Sequence, residues 1–183
     1  SGPVELLLLG SSSDGSMSPF EASLSSDSEE AEITDSVTQN QDIAEWSVTV
    51  GATESAEYPE TTWDFDIEYE VANAGGVQIN ASVEIKIGSQ TYTGSTGPNN
   101  AFLPSGKGTL SIAIPVESGT LPSGAKINAK LVARALVFSV PGADAALTFR
   151  WGSSDDPSTL TADIPIADII IEDPVTEGLD VYI

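Results

Sequence analysis

The chain has 183 residues, 28 acidic against six basic side chains, a formal net charge of −22, and neither cysteine nor histidine. Without cysteine there are no disulfides, thiol nucleophiles or zinc–thiolate sites, and without histidine the usual general base near neutral pH is missing. We therefore expect a single-domain protein that is not an enzyme, and a poor partner for nucleic acid or an anionic membrane surface.

The chain opens with Ser1-Gly2-Pro3 and continues into a short apolar run, Val4-Glu5-Leu6-Leu7-Leu8-Leu9, which Gly10 ends. This run is far shorter than the roughly 20 apolar residues of a membrane span, and no other stretch approaches that length. It predicts a buried strand, because an apolar terminus is costly to leave in water. The start without methionine indicates either an exported protein whose leader has been removed or the scar of a cleaved tag.

Residues 11–30 are rich in Ser, Asp and Gly and predict an irregular connector, so that a β-sandwich domain occupies 31–183. No segment shows sustained helical periodicity, whereas alternation of period two is frequent. The strands that this alternation predicts are Ile43–Val50, Trp63–Val71, Val77–Ile87, Gln90–Thr93, Leu110–Val116, Ile127–Val140, Leu147–Trp151, Leu160–Ile171 and Leu179–Ile183. The fold class is therefore all-β, a single-domain antiparallel β-sandwich or jelly roll of about ten strands.

Two local features refine that fold. Asn73-Ala74-Gly75-Gly76 predicts the turn of a long hairpin, which would place Lys86 beside Asp64, and Gly88-Ser89 predicts the next turn. Pro115 and Pro165 lie inside apparent strands, so those strands are expected to be edges or bulged.

An acidic ladder runs along the strand Trp63–Val71, whose other face is apolar. Its members are Asp64, Asp66, Glu68 and Glu70. Same-face neighbours lie about 6.5–7 Å apart, and like charges at that spacing favour a bound cation. Calcium, which takes six to eight oxygen ligands, is therefore a secondary expectation, although there is no EF-hand spacing and a solvated outer face is the alternative. Further acidic corners that could hold a hard cation, or be ordinary loops, are Asp14-Gly15, Asp27–Glu32 and Asp155-Asp156.

Two other features suggest surface recognition. Trp46, Trp63 and Trp151 could stack on a sugar, but Trp46 and Trp63 lie on apolar faces, which leaves Trp151 as the candidate for exposure. Asn80-Ala81-Ser82 is a glycosylation sequon on the outward register of its strand, so Asn80 is a candidate modification site.

The basic residues are unevenly distributed along the chain. All six lie between residues 86 and 150, whereas residues 1–85 carry 18 acids and residues 151–183 carry eight, with no base in either part. A weakly basic middle between acidic ends could steer end-to-side self-association, or it could reflect which strands face each other within one subunit.

An apolar strand at a chain terminus invites pairing with the sheet of another copy. Its donated side chains would be Val4, Leu6, Leu7, Leu8 and Leu9. Such a contact is head-to-tail and therefore propagates into a homopolymer. The alternative is that the run returns to its own sheet as an ordinary first strand.

The succession of apolar run, Ser/Gly/Asp-rich connector and about ten β-segments resembles that of secreted prokaryotic filament subunits, the TasA/camelysin-like proteins and the archaeal bundling-pilus and thread subunits. This resemblance implies an extracellular, cell-surface filament or pilus assembled by donor-strand complementation, with a role in adhesion or biofilm and contacts to the cell surface or matrix. The alternatives are a monomeric calcium- or carbohydrate-binding surface module and an S-layer or capsid-like jelly-roll subunit.

Overall fold

The computed structural model describes residues 2–50 and 55–164, which form an all-β sandwich as predicted. A three-residue 3-10 turn at Glu21–Ser23 is the sole helical element in those ranges, so nothing there is a helix of the length and apolarity that a bilayer span requires. The twelve strands of the described residues are β1 (Gly2–Gly10), β2 (Gly15–Ser18), β3 (Glu29–Ile33), β4 (Gln41–Thr49), β5 (Ala56–Tyr58), β6 (Thr61–Ile87), β7 (Gln90–Ser95), β8 (Ala101–Val116), β9 (Gly119–Leu121), β10 (Lys126–Ser139), β11 (Ala146–Trp151) and β12 (Thr159–Ile164). The predicted strand Leu179–Ile183, the end of Leu160–Ile171 and Pro165 lie outside them.

The central strand, β6, is one bent element of 27 residues, and the hairpin predicted at 73–76 is wrong. β8 pairs along both halves of β6, with a break in register between Val71 and Gly76. Asn73 (φ 57°) and Gly76 (φ 150°) take left-handed backbone conformations that bend the strand without reversing it. The reversal comes at the second predicted turn, where Ile87 lies opposite Gln90.

Because of this bend, the two halves of β6 belong to different layers. The first half pairs with β11, β12 and residues 106–116 of β8, and we call this layer, with β1 and β3, sheet A. The second half pairs with β7, β10 and residues 101–104 of β8, and we call this layer, with β4, sheet B. Strand β2 joins the layers, since it pairs with β1 on one edge and with β4 on the other.

The space between the sheets is filled by large aromatic side chains. Trp46 makes an edge-on contact with Trp151, with ring centroids 5.2 Å apart, and a tilted contact with Phe65 at 5.7 Å. All three tryptophans are 0% exposed, so the prediction of an exposed Trp151 is wrong. Trp151 lies on the inward register of β11, and its indole N–H donates a hydrogen bond to the carbonyl of Gly10 over 2.8 Å.

Lys86 and Asp64 lie on different sheets, so the ion pair expected between them does not form. The Nζ atom of Lys86 instead lies 3.7 Å from Oε1 of Glu84, its neighbour along the same face of β6. The error follows from the bend, because a hairpin would have folded one half of β6 alongside the other.

Candidate functional site: the N-terminal strand

The apolar run forms β1, which lies in the interior of the sheet between β12 and β2. On one edge the register runs from Gly2 opposite Ile164 to Leu7 opposite Thr159. On the other edge Leu7 to Gly10 lie opposite Ser18 to Gly15. The run is therefore a strand, as predicted, and in the single chain it pairs with its own sheet.

Strand β1 is buried on both faces. Leu6 and Leu8 are 0% exposed and belong to the main core, whereas Leu7 and Leu9, which point the opposite way, are 5% and 7% exposed; Val4 is 8% exposed. Burial of a large aliphatic side chain stabilises a fold by about 1.5–3 kcal/mol relative to exposure. The apolar run is thus buried within its own chain without a second copy. This is the alternative in which the run returns to its own sheet as an ordinary first strand.

A single tight loop, residues 11–14, connects β1 to β2. It is closed by a hydrogen bond from the amide of Asp14 to the carbonyl of Ser11 (3.3 Å), and its Ser12 carbonyl accepts from the amide of Glu45 (2.9 Å). Gly10 before the loop has φ +78°, in the region that favours glycine. Besides the pairing of Leu7–Gly10 with Gly15–Ser18, these loop contacts are what joins β1 to the strand that follows it in the chain.

The segment 11–30, predicted as an irregular connector, contains β2, the 3-10 turn and the start of β3. Its small residues serve close packing: a Cβ atom on Gly15 would lie 2.4 Å from Cδ1 of Trp46 and 2.7 Å from the carbonyl oxygen of Glu45. Gly15 therefore lets β2 approach β4 closely.

The loop between β11 and β12 forms a buried polar junction beside Leu8, where the pairing of β1 with β12 ends. Ser28 donates to Oδ2 of Asp156 (2.5 Å) and lies 2.6 Å from the hydroxyl of Ser153. Ser158 donates to the carbonyl of Arg150 (2.7 Å), and its own carbonyl accepts from the amide of Leu8 (3.0 Å). Two of the predicted acidic corners, 27–32 and 155–156, thus meet through hydroxyl groups, which no sequence signal distinguished from ordinary loop serines.

The acidic ladder lies on the outward face of β6, where neighbouring strands supply partners. Oδ1 of Asp66 accepts from Ser111 (2.5 Å), and both oxygens of Glu68 accept from Thr109 (3.0 and 3.1 Å). Oε1 of Glu70 accepts from Nη1 of Arg150 (2.6 Å). In the described ranges no three acidic side chains are grouped closely enough to hold a metal ion, so calcium at Asp64, Asp66, Glu68 and Glu70 stays a prediction without geometric support.

Arg150 links three strands, because its guanidinium also lies 3.3 Å from Oε2 of Glu30 on β3. The hydrogen bond that Arg150 donates to Glu70 is the main cause that raises the pKa of Arg150 above its ordinary value, so the side chain is charged at every accessible pH.

We expect Arg150→Met to destabilise the fold by about 1–2 kcal/mol, because two carboxylates then face each other without their shared cation. The measurement is the urea midpoint, and the loss should shrink in 0.5 M salt as repulsion is screened. Lys86→Met, which removes an exposed and longer ion pair, is the matched control and should change little. Equal effects of the two substitutions would contradict the role assigned to Arg150.

Asn80 lies on the outward face of β6, as predicted. Its amide accepts from Nδ2 of Asn40 (2.9 Å) and donates to Oδ1 of Asn100 (2.8 Å). The side chain is thus held between two other amides in a strand that is paired on both edges, and glycosylation at Asn80 stays a prediction.

No protein-family model and no curated protein matches this chain. Among solved structures it is similar to a CocE/NonD family hydrolase from Staphylococcus aureus (TM-score 0.56, 10% identity, 88% of this chain and 36% of that chain). It is also similar to an aminopeptidase from a marine sediment archaeon, Thaumarchaeota archaeon (0.56, 9%, 88% and 36%), and to an α-amino acid ester hydrolase (0.53, 9%, 92% and 36%). The chain thus spans about a third of these proteins, and at such identities the likeness shows the fold alone.

Proposed function

We propose that this protein is a non-catalytic structural subunit of an extracellular filament with a role in adhesion or biofilm, and that its copies are joined by exchange of β1. The observation that carries the proposal is the position of β1: it is interior to the sheet, buried on both faces and linked onward by four loop residues.

Exchange costs little in contacts, since β1 finds the same partners in a neighbouring copy as in its own chain. In the closed form β1 pairs within its own chain, and in the exchanged form it pairs with a neighbouring copy. The two forms differ in the conformation of residues 11–14 and in the effective concentration of β1 at its site. If each copy passes β1 to the next, the contact uses two different surfaces and does not close on itself. The product is an open-ended filament.

The site left by β1 is selective. Withdrawal of β1 leaves an open groove between β12 and β2 and uncovers the pockets that hold Leu6 and Leu8. The groove therefore accepts an extended apolar peptide with alternating side chains. The scarcity of lysine with abundant Ser, Thr and Gly supports a surface location. We propose no hydrolase activity, because the chain lacks histidine and cysteine and is similar to hydrolases in fold alone.

A reversible lock tests the exchange. Glu5 and Thr161 are register partners on the outward side of β1 and β12, so Glu5→Cys/Thr161→Cys should form a disulfide in the closed chain. Since the chain has no other cysteine, that bond is the sole covalent cross-link. We expect reduced chains to form filaments in negative-stain micrographs, and oxidised, locked chains to form none of those filaments.

The control places the same cross-link elsewhere. Glu84 and Thr93 are register partners on β6 and β7, so Glu84→Cys/Thr93→Cys joins two strands that exchange does not separate. Its oxidised form should assemble as the unmodified protein does. Filaments from the oxidised Glu5/Thr161 variant that match those of the control would show that β1 does not link the copies.

A further inference from the structure

The two outer faces of the sandwich differ in charge. Face A, the outward side of sheet A, has two bases, Lys107 and Arg150, among eight acids. Those acids are Glu5, Glu30, Glu32, Asp64, Asp66, Glu68, Glu70 and Asp163. The outward side of sheet A is therefore strongly negative.

Face B, the outward side of sheet B, has the opposite balance. Among the residues that the structure describes, it carries three acids, Asp42, Glu45 and Glu84, and four of the six bases of the chain. Those bases are Lys86, Lys126, Lys130 and Arg134. The basic middle of the sequence is thus a surface, because alternation sends the bases of β6 and β10 outward while their apolar neighbours line the core.

Face B also carries exposed apolar side chains at one end. Phe102 and Val137 are 51% and 55% exposed, and both lie opposite Gln78, on either side of β6. Val140, just beyond β10, is 87% exposed with φ 44°, a strained conformation for a β-branched residue. Arg134, opposite Asn80, is the base of face B next to Phe102 and Val137, and exposed apolar side chains beside an arginine have the composition of a protein–protein contact.

We propose that face A of one copy docks on face B of another copy. Four strands spaced about 4.8 Å apart and about ten residues long offer about 600 Å² per copy, or about 1,200 Å² in total, which reaches the lower bound of specific interfaces. Contacts between two A faces would set eight carboxylates against eight, so charge selects the unlike pairing. Because the two faces differ, the contact repeats in one direction and would join copies, or filaments, side by side.

This contact does not depend on the exchange of β1, and the test separates the two. All proteins carry the oxidised Glu5→Cys/Thr161→Cys lock, which holds β1 in its own chain. One variant reverses face B with Lys86→Glu/Lys126→Glu. The other reverses face A with Glu32→Lys/Asp64→Lys/Asp163→Lys, which leaves more bases than acids there because Glu5 is already replaced in the lock. These side chains lie at the surface and outside the apolar core. Association is measured by sedimentation velocity at 50 mM and 500 mM NaCl.

We expect the locked parent to associate, and to do so about tenfold less tightly at the higher salt. Each variant alone should associate at least about tenfold less tightly than the parent, since both of its faces then carry the same sign. An equimolar mixture of the two variants should recover the association, because each face again meets its opposite. A structural defect from the substitutions would not be repaired by mixing.

Three results would overturn the proposal: a locked parent that stays monomeric, a reversed variant that associates as the parent does, or a mixture without recovery. A further outcome identifies a different occupant. If a synthetic peptide of residues 165–183 shifts the amide resonances of Lys86 and Lys126 while face reversal leaves association unchanged, face B binds that segment rather than a second copy.

Discussion

Replacement of Leu8 by alanine should lower the free energy of unfolding by about 2–5 kcal/mol. The side chain is 0% exposed and packs in the main core, and its loss leaves a cavity there that a strand paired on both edges cannot collapse to fill. Urea denaturation followed by tryptophan fluorescence measures the change, because Trp46 and Trp151 lie in the same core.

The control for this substitution lies on the same strand. Glu5 is exposed, so Glu5→Ala alters β1 without touching the core and should stay within about 0.5 kcal/mol of the parent. If Leu8→Ala were as mild as Glu5→Ala, β1 would not be an integral strand, and neither closed nor exchanged chains would need it.

Gly15→Ala is expected to cost about 1–3 kcal/mol, although it adds a single methyl group. The added Cβ would lie 2.7 Å from the carbonyl oxygen of Glu45 and 2.9 Å from that of Leu9, and both are backbone atoms. Strand β2 would have to move away from β4, from β1, or from both. The loss should appear as a lower urea midpoint and as faster amide exchange at Ser16 and Met17.

Gly2→Ala is the matched control, since nothing lies within 4 Å of a Cβ atom at Gly2. It makes the same glycine-to-alanine change in β1, the neighbour of β2, and should leave the urea midpoint unchanged. A neutral Gly15→Ala would mean that β2 is not held between β1 and β4, which would remove the link between the two sheets.

The β-sandwich could be predicted because alternation is strong where one face is buried. In Trp63–Val71 every second residue is apolar, and the structure buries each of those side chains. The same pattern gave the extents of β4, β7, β10 and β11 to within a few residues. The pattern says which face is buried, and it does not say which strands lie side by side.

That limit explains the two errors in the path of the chain. Asn73 and Gly76 signal left-handed backbone, and left-handed backbone serves a strand bend as well as a hairpin turn. Gly15 and the serines around it favour a flexible connector by composition, but Gly15 lies where β2 packs closely between two strands and a Cβ atom would not fit. In both places the deciding contact is with a residue distant in sequence.

The candidate site could be predicted in part. Val4–Leu9 alone predicts a strand, whereas its partners, β12 and β2, cannot be predicted, because nothing in either segment marks it as a neighbour. The alternation correctly predicts that the acidic ladder lies on an outward face. It does not predict that Arg150 pairs with Glu70, because the two residues are 80 positions apart and meet only in the folded chain.

The most direct test of β1 exchange uses two separate chains. Glu5→Cys and Thr161→Cys are made in different copies of this cysteine-free protein, mixed, and oxidised after brief partial unfolding, and the products are resolved on a non-reducing gel. Exchange predicts a disulfide-linked pair of unlike chains, at a yield that rises with protein concentration, whereas Glu5→Cys mixed with Glu84→Cys gives none. If positions 5 and 161 cross-link solely when both cysteines are in one chain, β1 remains paired with β12 of its own chain and the filament proposal is contradicted.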